Sequence, residues 1–217
     1  MFRNLFSEPQ GSPLIEGAFR DVAEMLTQAE RMLDHALGAV LDNRALEVDL
    51  ERMDDSVDEG ERMVRRSVLE HLTVNPKQDL VASLVLASMV QDAERIGDFA
   101  RSISELVRLA ASPREGAFRD ELHALAGEIR PLFKLCREAF DEDDPESARQ
   151  VIAAHVSIKA RLKEVIARVA ASDLGADMAV VYSALARSLS RVSAHLSNIA
   201  SSVVQPYDRI RHGDEEA

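Results

Sequence analysis

The sequence lacks most of the features that stabilise secreted, β-sheet or membrane-spanning proteins. Cys136 is the single cysteine among 217 residues, so no disulfide can form within the chain, and one thiol predicts a reducing, cytoplasmic location. Tryptophan is absent and aromatic residues make up only 4% of the sequence, while signals for β-strands are essentially missing. Charged residues interrupt every apolar run before the ~20 residues that a membrane-spanning helix needs. We therefore expect no transmembrane segment.

Positive charge is also in short supply. Lysine and arginine contribute 26 residues against 38 aspartates and glutamates, which gives a formal net charge of -12. Nucleic-acid binding depends on cations that neutralise phosphates, so this balance argues against a nucleic-acid partner. The same charge favours bound cations or a basic partner surface, but it is also an ordinary means of keeping a protein dispersed.

What the sequence does contain indicates an all-α protein. Only 9 glycines and 7 prolines interrupt a chain rich in alanine, leucine, arginine and glutamate. The interruptions predict six long helices, joined by short connections into antiparallel bundles, at roughly 14–42, 45–73, 76–111, 115–142, 145–171 and 176–205. Asn75, Ser112 and Asp144 each precede a proline, which predicts three helix N-caps followed by proline at the first helical position.

The six predicted helices form two similar sets of three. The run Glu94-Arg95-Ile96-Gly97-Asp98 in the third helix has a counterpart, Ser190-Arg191-Val192-Ser193-Ala194, near the middle of the sixth. We therefore predict two repeated three-helix bundles, at 14–111 and 112–206, with polar or flexible tails at 1–13 and 207–217.

Two pairs of acids suggest a metal site in the first repeat. Asp54 and Asp58 on the second helix, and Glu94 and Asp98 on the third, are each four residues apart and so share one helical face. Antiparallel packing of these helices would bring both pairs together as a ligand set for hard cations. The alternative is that nearby arginines neutralise the acids as ordinary ion pairs: Arg52, Arg62, Arg95 and Arg101.

Both acidic segments resemble motifs of the PhoU family. Residues 91–100, which include Glu94-Arg95-Ile96-Gly97-Asp98, look like the signature helix of that family, and residues 54–59 look like its preceding acidic motif. The resemblance implies two repeated three-helix bundles and places metal ligands at Asp54, Asp58, Glu94 and Asp98. The equivalent second-half positions are His155, Lys159, Ser190 and Ala194, and because Lys159 is a cation and Ala194 has no ligand atom, we expect at most one metal cluster.

The resemblance also implies a function. PhoU-like proteins are regulators of phosphate transport and of phosphate-dependent signalling, so we expect a metal-binding adaptor that contacts a phosphate transporter subunit and a sensor kinase. Iron is the metal that the resemblance favours, and a homodimer is compatible with it. Two alternatives stay open: a helical structural adaptor without metal, and a di-metal carboxylate enzyme. The enzyme would need Glu-x-x-His motifs, which the sequence does not contain, so we expect a protein that is not an enzyme.

The remaining candidates have weaker support. His155 and His195 could supply substitute ligands in the second half, although solvated or core-edge positions are the more ordinary interpretation. Cys136 is flanked by basic residues that could activate it, but a buried, unreactive thiol is commoner on a helix of this kind.

Overall fold

The chain folds into six long α-helices. The structure, a computed structural model, describes residues 12–110 and 112–210. Within them the helices are α1 (Pro13–Leu41), α2 (Leu50–Val74), α3 (Leu80–Glu105), α4 (Ala117–Asp141), α5 (Pro145–Ala170) and α6 (Ala176–Val204), with short 3₁₀ turns at Leu106–Leu109 and Tyr207–Arg209. No β-strand occurs in these residues. The all-α prediction of six helices is confirmed.

Only one of the three predicted N-caps is correct. Asp144 accepts hydrogen bonds from the backbone N–H groups of Glu146 and Ser147, directly before Pro145 at the start of α5. Asn75 instead ends α2, and Ser112 lies in the α3–α4 connection. Both were misassigned because proline is also common just after a helix and within a loop.

The actual starts of α3 and α4 have caps of another kind. Asp79 precedes α3 in a left-handed conformation, with φ 52°, and Gly116 precedes α4 with φ 87°. The starts of α2, α3 and α4 consequently lie two to five residues later than predicted.

The predicted terminal tails are only partly described. Pro13 already begins α1, and Ile210, within the predicted tail 207–217, is 93% buried. Residues 1–11 and 211–217 lie outside the described residues.

The helices pack as two antiparallel sets that share a core. Helices α1, α2 and α3 contact one another, as do α4, α5 and α6, while α3 packs against α6 and α1 against α4. One cluster of buried apolar side chains includes residues from all six helices. Among the described residues, no helix is apolar over a length sufficient to cross a bilayer.

The connection between the two sets is fixed to the end of α1. Arg114 is 92% buried and donates hydrogen bonds to the backbone carbonyls of Val40 (2.8 Å) and Ala39 (2.6 Å). Its own backbone N–H and C=O are bonded to the side-chain amide of Asn43. A cation at a helix C-terminus both satisfies the last carbonyls and complements the helix dipole.

Replacing Arg114 should therefore destabilise the whole fold. We expect Arg114→Met to lower the free energy of unfolding by about 2–4 kcal/mol, because it removes two charge-assisted hydrogen bonds and leaves buried carbonyls unpaired. Urea denaturation followed by circular dichroism measures the change. The control is Arg108→Met, at an exposed arginine with no ion pair in the described residues. Equal midpoints for the two variants would contradict this role of Arg114.

Candidate metal centre

Helices α2 and α3 approach each other closely at Gly97. A Cβ atom placed on Gly97 would lie 3.3 Å from Asp54 Oδ1 and 3.5 Å from Val57 Cγ1, both on α2. A larger side chain would therefore push Asp54 away from α3. Glycine costs about 1 kcal/mol of helix propensity relative to alanine, and at this position it permits the carboxylate of α2 to lie against the backbone of α3.

The four predicted ligands lie on this shared ridge, and arginines bridge them. The Arg101 guanidinium binds Asp54 across the helix pair (Nε to Oδ2, 2.6 Å) and Asp98 on its own helix (3.3 Å). Arg95 binds Asp98 at 3.0 Å and lies 3.5 Å from Glu94. The arginine pairing that was the alternative is thus present, with Arg101 joining Asp54 to Asp98, while a metal site shared by the four acids stays a prediction.

The acids differ in burial. The side chains of Asp54 and Glu94 are only 15% and 17% exposed, whereas that of Asp58 is 41% exposed. Asp58 has a looser partner, Arg62 on the same helix, at 3.8 Å. Asp58 is thus the most accessible of the four acids.

The arginines do not fully compensate the negative charge. Burial, followed by the charges of Asp98, Glu61 and Asp58, raises the pKa of Glu94 to about 7, although Arg95 opposes the shift. Burial likewise raises the pKa of Asp54, and the charges of Asp98 and Asp58 add to the effect, against the opposing influence of Arg101. Carboxyl groups that resist ionisation in this way would gain from a nearby cation.

The donor set suits a hard cation, but the side chains are not already arranged around one. Within the described residues, no three acidic, histidine or cysteine side chains are grouped so that they could hold a metal ion. Carboxylate oxygens on two facing helices are nevertheless ligands that iron, manganese, magnesium or calcium accept. The residues therefore fit such an ion provided that the arginines move aside.

There is room for that movement. Arg101 lines an open pocket of about 260 Å³ beside the N-terminus of α2, together with Ser104 and Arg108. Its guanidinium could turn into this pocket without disturbing the apolar core.

In the second half, the equivalent helix–helix contact contains no acidic residue. His155 Nδ1 lies 2.9 Å from Ser193 Oγ, and both residues are at least 98% buried. These two residues correspond to Asp54 and Gly97, which make the α2–α3 contact in the first half. A hydrogen bond between histidine and serine thus stands where the first half has the contact between Asp54 and Gly97.

His195 and Cys136 have structural roles. His195 Nδ1 lies 2.8 Å from Asp92 Oδ1, and Asn198 donates to the same oxygen, which joins α6 to α3. His195 and His155 therefore contact different partners and do not form a substitute site together. Cys136 is fully buried, and burial raises its pKa to about 12, so it is not an activated thiol.

Fold and site together define a class: a duplicated three-helix protein whose first half carries acids on a close helix pair. The family model described as the PhoU domain matches residues 22–107 and again 122–203. The chain belongs to the PhoU family, whose members act as regulators or accessory proteins of phosphate transport.

Individual relatives agree with this assignment. The chain is 25% identical over 193 residues to phosphate-specific transport system accessory protein PhoU homolog 1 of Thermotoga maritima, covering 85% of this chain and 83% of that protein. The crystal structure of the phosphate transport system regulatory protein PhoU from Streptococcus pneumoniae has a TM-score of 0.78 and 16% identity, over 88% of this chain and 93% of that one. The crystal structure of PhoU from Pseudomonas aeruginosa has a TM-score of 0.78 and 20% sequence identity, over 90% of this chain and 97% of that one. These structures share the fold.

Burial of Glu94 beside other acids should make stability depend on pH. The folded protein holds a proton on Glu94 until the pH nears its raised pKa of about 7, whereas an unfolded glutamate ionises near pH 4.5, so Glu94 costs stability as pH rises through this window. In the presence of a chelator, Glu94→Gln should raise the free energy of unfolding by roughly 1–3 kcal/mol at pH 8 and hardly at all at pH 5.

Urea denaturation at both pH values measures this difference. The control is Glu70→Gln, at an exposed acid of α2 with no ion pair in the described residues. Stabilisation of the same size at pH 5 and pH 8, or in both variants, would show that Glu94 is not crowded by other acids.

Proposed function

We propose that this protein regulates phosphate transport and phosphate-dependent signalling from the cytoplasm, as a metal-binding adaptor that works through protein contacts and not as an enzyme. The match of the PhoU domain to both halves of the chain carries the proposal. The names of the T. maritima and S. pneumoniae relatives refer to a phosphate transport system, so we infer that a subunit of such a transporter is one partner and a sensor kinase another.

The metal would be held by Asp54, Asp58, Glu94 and Asp98. Support comes from their positions on the facing helices α2 and α3 and from the raised pKa values of Asp54 and Glu94, which burial causes first and neighbouring acids increase, so that a nearby cation would stabilise the ionised carboxylates. A bound cation supplies positive charge that binds the carboxylates of α2 to those of α3. Iron is the ion we favour, in a single cluster.

In this proposal, Arg101 holds the two helices of the metal-free ridge together, while Arg95 pairs with acids of α3 alone. Arg101 bonds to Asp54 and Asp98 at once and so joins α2 to α3 where the cation would otherwise do so. The arginines and a metal ion would then compete for the same oxygens. Such competition keeps α2 and α3 together in both the metal-free and the metal-bound state. The surface charge differs between the two states, and a partner protein could recognise this difference.

Removing one carboxylate should abolish both metal binding and regulation. We expect Asp98→Ala to lose at least about nine-tenths of the bound metal, measured by elemental analysis of purified protein, with the helical circular dichroism signal unchanged. In cells that lack the gene, the variant should fail to restore phosphate control of transport, whereas the wild-type gene restores it.

Two variants serve as controls. Asp55→Ala removes an exposed acid of α2 that has no ion pair in the described residues, and it should retain both metal and regulation. Arg101→Gln frees Asp54 and Asp98 and should bind metal at least as tightly as the wild type. Unchanged metal content in Asp98→Ala would refute the ligand assignment, and normal phosphate control in cells without the gene would refute the regulatory function.

A further inference from the structure

The second half presents a basic face at the position where the first half presents its acids. The contact between His155 and Ser193 matches that between Asp54 and Gly97. Residues of α2 therefore align with residues of α5 that are 101 positions later, and residues of α3 align with residues of α6 that are 96 positions later. The buried positions agree with these offsets: Val57, Val64 and Val68 of α2 correspond to Ile158, Val165 and Val169 of α5, all buried.

This alignment shows which charged residues of α2 and α3 differ at the corresponding positions of α5 and α6. Asp58 corresponds to Lys159, which reverses its sign, and Gln91 corresponds to Arg187, which adds a cation. Two cations have kept their positions while the acids around them were lost: Arg62 corresponds to Lys163, and Arg95 to Arg191.

The retained cations have lost their partners. In the first half, Arg62 pairs with Asp58 and Glu59, and Arg95 pairs with Glu94 and Asp98. Their counterparts Lys163 and Arg191 are exposed and have no ion pair in the described part of the chain, and the same is true of Arg187.

Within α5 and α6, no acid is placed to form an intrahelical ion pair with Lys163, Arg187 or Arg191. Helices α5 and α6 contain three acidic residues, Glu146, Glu164 and Asp177, and none stands three or four positions from any of the four cations. Arg149 pairs with Glu146 in the first turns of α5, whereas Arg161 and Arg168 reach to Glu128 and Glu121 of α4. A protein with a net charge of -12 thus keeps four cations together on one helix pair.

We propose that Lys159, Lys163, Arg187 and Arg191 form a docking surface for an acidic helix of a partner protein. On each helix the two cations are one turn apart, about 6 Å along the axis, which matches glutamates four residues apart on a facing helix. Val156 and Val180, each 53% exposed, add apolar contact area on the same two helices.

Other anions fit the surface less well. A free phosphate ion would need converging donors in a partly enclosed site. The side chains of Lys163, Arg187 and Arg191 are instead long and exposed, and within the described residues no ion pair fixes their positions. An anionic membrane would repel the rest of a chain whose net charge is -12. An acidic surface of a partner protein is therefore the ligand that this basic face favours.

The test uses a synthetic helical peptide with glutamate at every fourth position and a matched peptide with glutamine instead. By fluorescence anisotropy at low salt, the wild-type protein should bind the glutamate peptide and not the glutamine peptide. The charge reversal Lys163→Glu/Arg187→Glu/Arg191→Glu should weaken binding by at least about tenfold. A milder variant, with glutamine at the same three positions, should also weaken peptide binding. It serves as a second test if the charge-reversal variant misfolds, and circular dichroism checks the folding of both variants.

The matched control reverses three exposed arginines of the first half, Arg20, Arg31 and Arg66, and changes the net charge equally. This control should bind the peptide within about threefold of the wild type. An equal loss in both triple variants would show a general charge effect and overturn the proposal, as would no detectable binding by the wild type.

Three further outcomes would assign the face to another occupant and also overturn the proposal. The first is reversal-sensitive binding of inorganic phosphate or phosphatidylglycerol vesicles without peptide binding. The second is reversal-sensitive self-association in sedimentation, which would indicate a second copy of the chain. The third is a gain of peptide binding when Asp214, Glu215 and Glu216 are neutralised, which would indicate the chain's own acidic terminus.

The inference does not depend on the metal proposal. The variant Asp98→Ala should bind the glutamate peptide as the wild type does, so failure of either proposal can be recognised separately.

Discussion

The close approach of α2 and α3 at Gly97 is the constraint on which the first-half site depends. Because Gly97 has no side chain, Asp54 can lie against α3, where Arg101 reaches it at 2.6 Å and where Asp98 directly follows Gly97. Burial of Glu94, together with the charges of nearby acids, raises its pKa to about 7. A cation close to this helix pair, such as the guanidinium of Arg101, offsets part of the cost of burying these carboxylates.

The same backbone arrangement has been used twice for different purposes. In the second half, Ser193 stands at the position of Gly97 and hydrogen-bonds to the buried His155, so this contact contains no carboxylate. Lys163 and Arg191, which correspond to Arg62 and Arg95, are exposed and have no ion pair in the described residues. A few different side chains on the same type of helix pair thus place acids in the first half where the second half has basic residues, without a change in fold.

Much of the architecture could be predicted from the sequence because its signals are local. Long stretches without glycine or proline, together with apolar residues such as Leu86, Val90 and Ala93 at helical spacing, suffice to predict six helices and their buried faces. The convergence of Asp54, Asp58, Glu94 and Asp98 follows from the same periodicity once α2 and α3 are taken as antiparallel neighbours.

What could not be predicted depends on contacts between distant residues. Asn75, Ser112 and Asp144 all precede a proline, and this shared pattern gave no means of distinguishing the helix start at Asp144 from the helix end at Asn75 or the loop at Ser112. The burial of Arg114 against the end of α1 spans more than 70 residues. Likewise, the choice of Arg101 over Arg52 as the partner of Asp54 depends on how the two helices are rotated, which no short motif specifies.

Crystallography with anomalous diffraction at the iron edge tests the central claim most directly. For crystals grown with ferrous or ferric iron, the account predicts an anomalous peak between α2 and α3 within about 2.0–2.6 Å of carboxylate oxygens from both helices, with the Arg101 guanidinium displaced from Asp54 and Asp98. A structure from the same crystals with Arg101 still bonded to both acids, and with no anomalous peak on the ridge, would contradict it.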